Sequence, residues 1–454
     1  MADSTENSRE YNGKASIAVH FLIILFGISA WIGINGIFIQ TPMLINTSPQ
    51  GWALPAYLVL VIQAANFGPL IYTILQYFQW KINEPWWILC LLVSGTSAMG
   101  LLSFFYSEKT VIAGDEYSIV LFILTYFNAL VGCFSSVLFM PYLQSFDKKY
   151  LTSYFIGEGL SGVLPSIVAL IQGIEDRLEC VISRNDTNPE ASSDSFSLKF
   201  SPNEYFLFIF VILFLSLVAF AVLEYSSLIK STKRISKSVG VAINGEQVDV
   251  PQKHYSNAVQ TVKHYSLKEK SFLHEDSKQL TKQMRNYLFT LLAICCFFGN
   301  GFLPSIQSYS CLPYGNIAYK LSITFAQFAN PLVCLLAFWL KVSNIKIINY
   351  MSVICLGISS FDTYLALMSP SPPLRKTELG IVLVILSWTL LIGLISYLKL
   401  TIVSVLRNTE LPKILFNAGV IMQIGSAFGA IFSFVTINMT NYFEVHNNCI
   451  STST

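Results

Sequence analysis

The sequence predicts an all-α membrane protein of about eleven transmembrane helices, six in a first set and five in a second set that repeats it. Three observations carry this prediction. The 454 residues are 53% hydrophobic and only 12% charged, whereas a soluble domain carries about 25% charge. About eleven apolar stretches reach the roughly 20 residues that a bilayer core requires. Similar polar words recur inside matching stretches at a nearly constant spacing.

Residues 1–16 form a short polar lead, expected in the cytosol. The first apolar stretch, 17–45, is longer than the roughly 7–15-residue core of a cleavable signal, so it is expected to stay as a membrane helix. With it, 53–79, 86–106, 117–145, 150–174 and 204–229 make an N-terminal six-helix bundle over 17–229. The 17–45 and 117–145 stretches exceed one straight crossing, which implies tilt or overhang. The segment 230–284, with SLIKSTKRISKS and KHYSNAVQTVKHYSLKEK, reads as a disordered cytosolic linker. Its basic start suits contact with anionic headgroups. Five more stretches, 286–307, 316–340, 345–368, 377–405 and 412–437, make a C-terminal bundle over 285–437. Residues 438–454 form a tail.

Orientation follows from Lys and Arg. With the N-terminus in the cytosol, 20 of the 28 fall on the inner side, seven on the outer side, and Lys399 inside a stretch. The excess on the inner side obeys the positive-inside rule. Lys320, at the start of the 316–340 stretch, counts among the outer seven. Three Asn-x-Ser/Thr sequons, at Asn46, Asn185 and Asn438, fall on the outer side and are glycosylation candidates. Asn185 is the best placed; Asn46 and Asn438 lie close to the bilayer. Eleven crossings put the C-terminal tail outside.

The repeat is read directly. The first stretch holds WIGINGIFIQTP, with Asn35-Gly36 and Pro42, and the seventh holds FFGNGFLPSIQ, with Asn300-Gly301 and Pro304. Asn35 and Asn300 are 265 positions apart. The second stretch holds Gln63, Asn66 and Pro69; the eighth holds Gln327, Asn330 and Pro331, at an offset of 264 from Gln63 to Gln327. Gly132 and Ser135 match Gly393 and Ser396 more loosely. Two halves repeated in the same direction are the parallel-repeat plan of many transporters, which places a substrate near the midplane between the halves.

The polar residues inside the stretches are mostly amides: Asn35, Gln40, Gln63, Asn66, Asn128, Gln172, Asn300, Gln307, Gln327, Asn330, Asn417 and Gln423. Amides donate and accept, and so suit a neutral partner with a mixed hydrogen-bonding edge. Their other use is to bond a neighbouring helix. Asn35, Gln40 and Asn300 stand beside Gly and Pro, where a helix loosens and exposes backbone to a cavity. Glu158, in YFIGEGLSGVLPS, is the one carboxylate clearly inside the fifth stretch. A charge at helix centre costs at least about 2.5 kcal/mol, which makes Glu158 a candidate proton-sensitive gate. Ser161 and Gly162 beside it read as a helix-packing surface. Asp362 is expected in a wet vestibule near the outer end of the ninth stretch, and Lys399 is expected to snorkel to the cytosolic face. Trp31, Phe38, Phe67, Tyr142, Phe298 and Phe302 could stack on a flat ring.

A nucleic-acid ligand has no support, since net charge is +2 and no basic domain is present. An enzyme has little: the five histidines, His20, His254, His264, His274 and His446, have no ligand spacing on one helix. No metal site is expected.

The segments HFLIILFGISAWIGINGIF, GWALPAYLVLVIQAANFGPL, YFIGEGLSGVLPSIVALIQG, FLPSIQSYSCLPYGNIAY and FANPLVC together resemble the eukaryotic riboflavin transporter family. The resemblance covers nearly the whole chain except the lead, the linker and the tail. It implies an eleven-helix carrier similar to equilibrative nucleoside transporters and to the major facilitator plan. It implies sodium-independent riboflavin uptake at the plasma membrane, favoured by acid in some members, with riboflavin as substrate and no cofactor. A lipid bilayer and riboflavin are the expected partners, and a monomer is expected. The candidate substrate contacts are Trp31, Asn35, Gln40, Gln63, Asn66, Glu158, Asn300, Gln307 and Gln327. Two departures stand out. Where members of that family read Glu-Leu-Pro after the Asn-Gly, this chain has Gln40-Thr41-Pro42. Where they carry a cysteine after the ninth helix, it has Ser371. If that cysteine pairs with one in the tail, Cys449 has lost its partner, and Cys180 with Cys311, or either with Cys449, becomes a possible outside disulfide.

Overall fold

The structure, a computed structural model, describes residues 17–78, 80, 83–143, 145–146, 149–173, 198–226, 281–339, 344–375, 377–407 and 414–445. The lead, nearly all of the linker, Asn185, Cys180 and Cys449 lie outside the described residues.

The first stretch is not one straight helix. It forms α1 (Ile17–Ile28) and α2 (Ile32–Ile39), bent by 49°, then α3 (Thr41–Thr47). At the bend the N–H groups of Ser29 and Ala30 reach back only three residues, and Ser29 Oγ donates to Phe26 O at 2.6 Å. Such local bonding tightens and bends a helix. The second stretch divides into α4 (Leu54–Ala65) and α5 (Phe67–Tyr77). Pro69 has no N–H to offer the carbonyl of Ala65, where α4 ends.

Next come α6 (Glu84–Phe105) and a hairpin of β1 (Thr110–Ile112) with β2 (Asp115–Tyr117). Its turn residues Ala113 and Gly114 have φ of 56° and 101°, the geometry of a two-residue hairpin turn. Then α7 (Ile119–Phe134) runs through a π turn, Ser135–Phe139, into α8 (Met140–Leu143). The first half closes with α9 (Lys149–Gln172) and α10 (Pro202–Tyr225). A capping box starts α10: Ser201 Oγ accepts from Glu204 N–H while the Glu204 carboxylate accepts from Ser201 N–H, which satisfies donors that a helix start leaves open.

The second half opens with α11 (Lys282–Cys296), a π turn at Phe297–Phe302, and α12 (Leu303–Cys311). It continues with α13 (Asn316–Trp339), α14 (Ile345–Leu367), α15 (Glu378–Arg407) and α16 (Ile414–Met439). Eight described helices are long and apolar enough to cross a membrane, or ten if each bent pair is one span. Beside them, α13 has 24 residues, enough for a bilayer core.

Within each half the first and last inward helices touch backbone to backbone. A side chain on Gly157 of α9 would collide with Ile24 O of α1, and one on Gly429 of α16 would collide with Phe297 O. This is small-residue packing, used the same way in both halves. Between halves, α4 packs on α12 and α16, and α13 packs on α2 and α9.

Candidate functional site

The face of α2 that the bend presents is Trp31, Asn35 and Phe38. These three are part-exposed, and the other residues of that helix are buried. Their spacing of four and three residues puts them on one side. The Trp31 ring lies on Gly132 of α7, where a Cβ would stand 2.8 Å from Cε3. Asn35 Nδ2 donates to Ser161 Oγ of α9 at 3.3 Å, and Ser161 Oγ donates to Glu158 O at 2.6 Å. Across the boundary between halves stands Gln327 of α13. A Cβ on Gly162 would be 3.1 Å from Gln327 Oε1 and 3.5 Å from Asn35 Nδ2. Asn35, Ser161, Gly162 and Gln327 therefore meet where the two halves face each other.

The second half repeats half of this arrangement. Asn300, in the π turn, donates from Nδ2 to Ser426 Oγ of α16 at 3.0 Å. A feature with no counterpart among the described residues of the first half completes it: Lys399 Nζ donates to Asn300 Oδ1 at 3.0 Å. The expected snorkelling of Lys399 to the cytosolic face is thus corrected. Its ammonium turns inward because an amide oxygen is within reach, leaving Asn300 bonded at both ends. A single Lys near the end of a long apolar run gave no signal of this.

The other candidates fall elsewhere. Asn66 Nδ2 donates to Gln63 Oε1 at 3.0 Å, so this pair bonds to itself beside the α4–α5 break. Gln40 is fully buried and donates to Gln172 Oε1 at 2.7 Å, away from the Asn35 group. Gln307 is buried on α12, next to Ser308, whose hydroxyl donates to Trp52 O at 2.6 Å. Glu158 is part-exposed on α9, one turn before Ser161. Phe298 and Phe302 line an apolar groove of about 480 Å³ with Leu356, Thr363, Tyr364 and Phe432, on a different side from the Asn35 group.

One further expectation is corrected. Asp362 is not in a wet vestibule: it is fully buried, and Ser387 Oγ of α15 donates to its Oδ1 at 2.6 Å. Lys320, in the first turns of α13 as expected, is 1% exposed and donates to Gln172 Oε1 at 3.3 Å and to Gly173 O. Cys311 is a buried thiol at the end of α12, beside Ser310, and Cys180 and Cys449, its candidate partners, lie outside the described residues. Of the sequon asparagines in described residues, Asn46 and Asn438 both lie in the last turns of helices and bond carbonyls four residues back.

Among the described residues, hydrogen bonds from Ser308 to Trp52 and from Lys320 to Gln172 and Gly173 join the two halves. All lie at one end of the molecule, where Trp52 also meets Tyr309 at 5.9 Å and Tyr57 meets Phe434 at 4.9 Å between ring centroids. At the opposite end α5 packs on α7 of its own half. These cross-half hydrogen bonds gather at the Gln172 end.

The family model described as solute carrier family 52, riboflavin transporter, matches residues 15–445. Solute carrier family 52, riboflavin transporter, member 3-A of Danio rerio is 34% identical over 447 residues, covering 95% of this chain and 98% of the relative. Member 3 of Homo sapiens is 32% identical and covers 95% and 98%; member 2 of Homo sapiens is 32% identical and covers 95% and 97%. Among solved structures, a mutant form of the nucleoside transporter NupG superposes with a TM-score of 0.54 at 11% identity, covering 94% of this chain and 93% of that one. That likeness shows the fold: an all-helical transporter architecture of the nucleoside-transporter kind.

Proposed function

The chain belongs to the solute carrier family 52 of riboflavin transporters, and from that premise we propose that it carries riboflavin into the cell across the plasma membrane by alternating access. Six crossings over 17–229 and five over 285–437, with α13 counted among them as the eighth, form two halves that rock about a central site. The 230–284 linker and the N-terminus are cytosolic; the 438–454 tail is extracellular. The carrier works as a monomer, without sodium and without a cofactor, and glycosylation falls at Asn185.

The observation that carries this reading is the meeting of Asn35, Ser161 and Gln327 at the boundary between halves. Riboflavin is neutral, with a flat ring whose edge donates and accepts and a chain of hydroxyls. Amides and a hydroxyl on opposing helices match that edge, and Trp31 on the same face supplies an aromatic plane. In this reading Asn35 and Gln327 grip the ring edge from the two halves. Asn300, held by Ser426 and Lys399, supports the second wall. Gln63 and Asn66 sit at a helix break that can open. Gln40 and Gln307 act from the Gln172 end. Glu158, one turn from Ser161, supplies the pH sensitivity.

Uptake of labelled riboflavin into cells expressing the chain tests the proposal. Saturable uptake that unlabelled riboflavin blocks and uridine does not is the expected result. Absence of uptake with normal surface expression would overturn the substrate while leaving the fold in place.

A further inference from the structure

At the Gln172 end, one buried amide ties four segments together. Gln172, the last residue of α9, is fully buried. Its Oε1 accepts from Gln40 Nε2 of α2 at 2.7 Å and from Lys320 Nζ of α13 at 3.3 Å. Its Nε2 donates to Phe200 O, ahead of α10, at 3.3 Å. Only Lys320 among these partners belongs to the second half. Lys320 also donates to Gly173 O, so both of its acceptors are neutral. It forms no ion pair among the described residues. Beside it Gln40 Oε1 is buried with no partner.

We propose that Gln172 is the latch that holds the outer end closed, and that Lys320 is the residue that makes the latch release. The proposal rests on the alternating-access reading above. Two opposing terms act on Lys320. Its hydrogen bonds to Gln172 and Gly173 exist only when the halves meet. Closing also strips water from an ammonium and gives it no opposite charge, which is costly. When the end opens, water returns to the ammonium. The closed state is held by hydrogen bonds and opposed by desolvation of the same group, so its population responds to small changes at this one point. A carboxylate in place of either amide would remove that balance by pairing the charge.

The test needs no riboflavin. Phe38 shares the part-exposed side of α2 with Asn35 and lies inward of Gln40. The full-length chain carrying Phe38→Cys is expressed in intact cells, and a membrane-impermeant maleimide is added outside. Labelling is corrected for the chain without that cysteine and for surface abundance. Gln172→Leu leaves Lys320 and Gln40 without their shared acceptor, and labelling is expected to be at least about fivefold faster. Gln172→Glu supplies the missing charge, and Lys320→Met removes the desolvation cost; both are expected to label more slowly than the unaltered chain. Variants of opposite sign at one position separate this from a general folding defect. Unchanged or slower labelling in Gln172→Leu overturns the latch. Unchanged or faster labelling in Lys320→Met or Gln172→Glu overturns the part given to Lys320. Because no substrate is present, a wrong substrate assignment would not alter these rates, and a wrong latch would leave riboflavin uptake to be judged by its own assay.

Discussion

Asn300 donates to Ser426 across 126 residues of chain, and Asn35 donates to Ser161 across the same 126. The repeat is therefore a repeat of contacts as well as of words. In each half an asparagine beside a glycine, in a first helix that is bent or interrupted by a π turn, is anchored by a serine on the half's fifth crossing, α9 or α16. The halves differ at the free end of the amide. Asn300 Oδ1 is taken by Lys399, whereas Asn35 faces Gln327 across the boundary. The first half thus offers the more available amide.

Lys399 should matter for stability rather than for selectivity. Lys399→Met leaves Asn300 Oδ1 without its donor, which costs about 1–3 kcal/mol where an acceptor is left unmade. A thermal melt of the purified protein in detergent should show a lower transition for Lys399→Met. The ratio of riboflavin uptake to surface abundance should fall less than twofold.

Small-residue packing gives a graded prediction. Gly157→Ala puts a methyl group into Ile24 O, and Gly429→Ala puts one into Phe297 O. Backbone cannot yield as a flexible side chain does, so both variants should lose most of their surface abundance. Gly357→Ala, whose Cβ would meet nothing within 4 Å, should be expressed as well as the unaltered chain. Surface biotinylation compares the three.

The reading of Glu158 as the pH-sensitive group has a sign. Glu158 stands one turn before Ser161 on α9 and is part-exposed; in this reading its charge disfavours the closed, dry arrangement around a neutral ligand, and protonation removes that charge. Uptake should therefore rise as pH falls. Glu158→Gln is neutral at every pH, so its uptake should stay flat near the acid level between pH 5 and pH 8. A Glu158→Gln curve that parallels the unaltered one removes Glu158 from the role.

Cys311 should be silent in redox tests. Its thiol is buried at the end of α12, away from oxidants and thiol reagents. Cys311→Ala should keep surface abundance, and reductant should affect that variant and the unaltered chain equally. A loss of reductant sensitivity confined to Cys311→Ala would show that this cysteine is bridged.

Much of the fold was legible because a bilayer imposes a length and an apolarity on each crossing, and because Asn35-Gly36 and Asn300-Gly301 mark the repeat. The breaks were less legible. The bend at Ser29 depends on side-chain bonding to the helix's own carbonyl, and serines elsewhere do the same without bending. The word shared by the second and eighth stretches breaks the chain at Asn66 but leaves α13 continuous through Pro331. At the site, the asparagines stood out and their partners did not. Ser161 and Ser426 are small hydroxyls of a kind common in membrane helices, and Ser161 read as packing. Lys320, Asp362 and Lys399 were assigned to water because a charge near the end of an apolar run normally finds it. Their inward placement depends on partners brought from distant helices, such as Gln172, which accepts from Lys320, and Ser387, which donates to Asp362, and no local pattern shows them.

The most direct test of the central claim is equilibrium binding of riboflavin to the purified full-length chain, read by quenching of flavin fluorescence, with Asn35→Ala measured beside it. An Asn35→Ala variant with an unchanged melting transition should bind at least about tenfold more weakly, the loss of roughly one good hydrogen bond to a buried ligand. Equal affinity in the two proteins would contradict a site built on Asn35 at the boundary between halves.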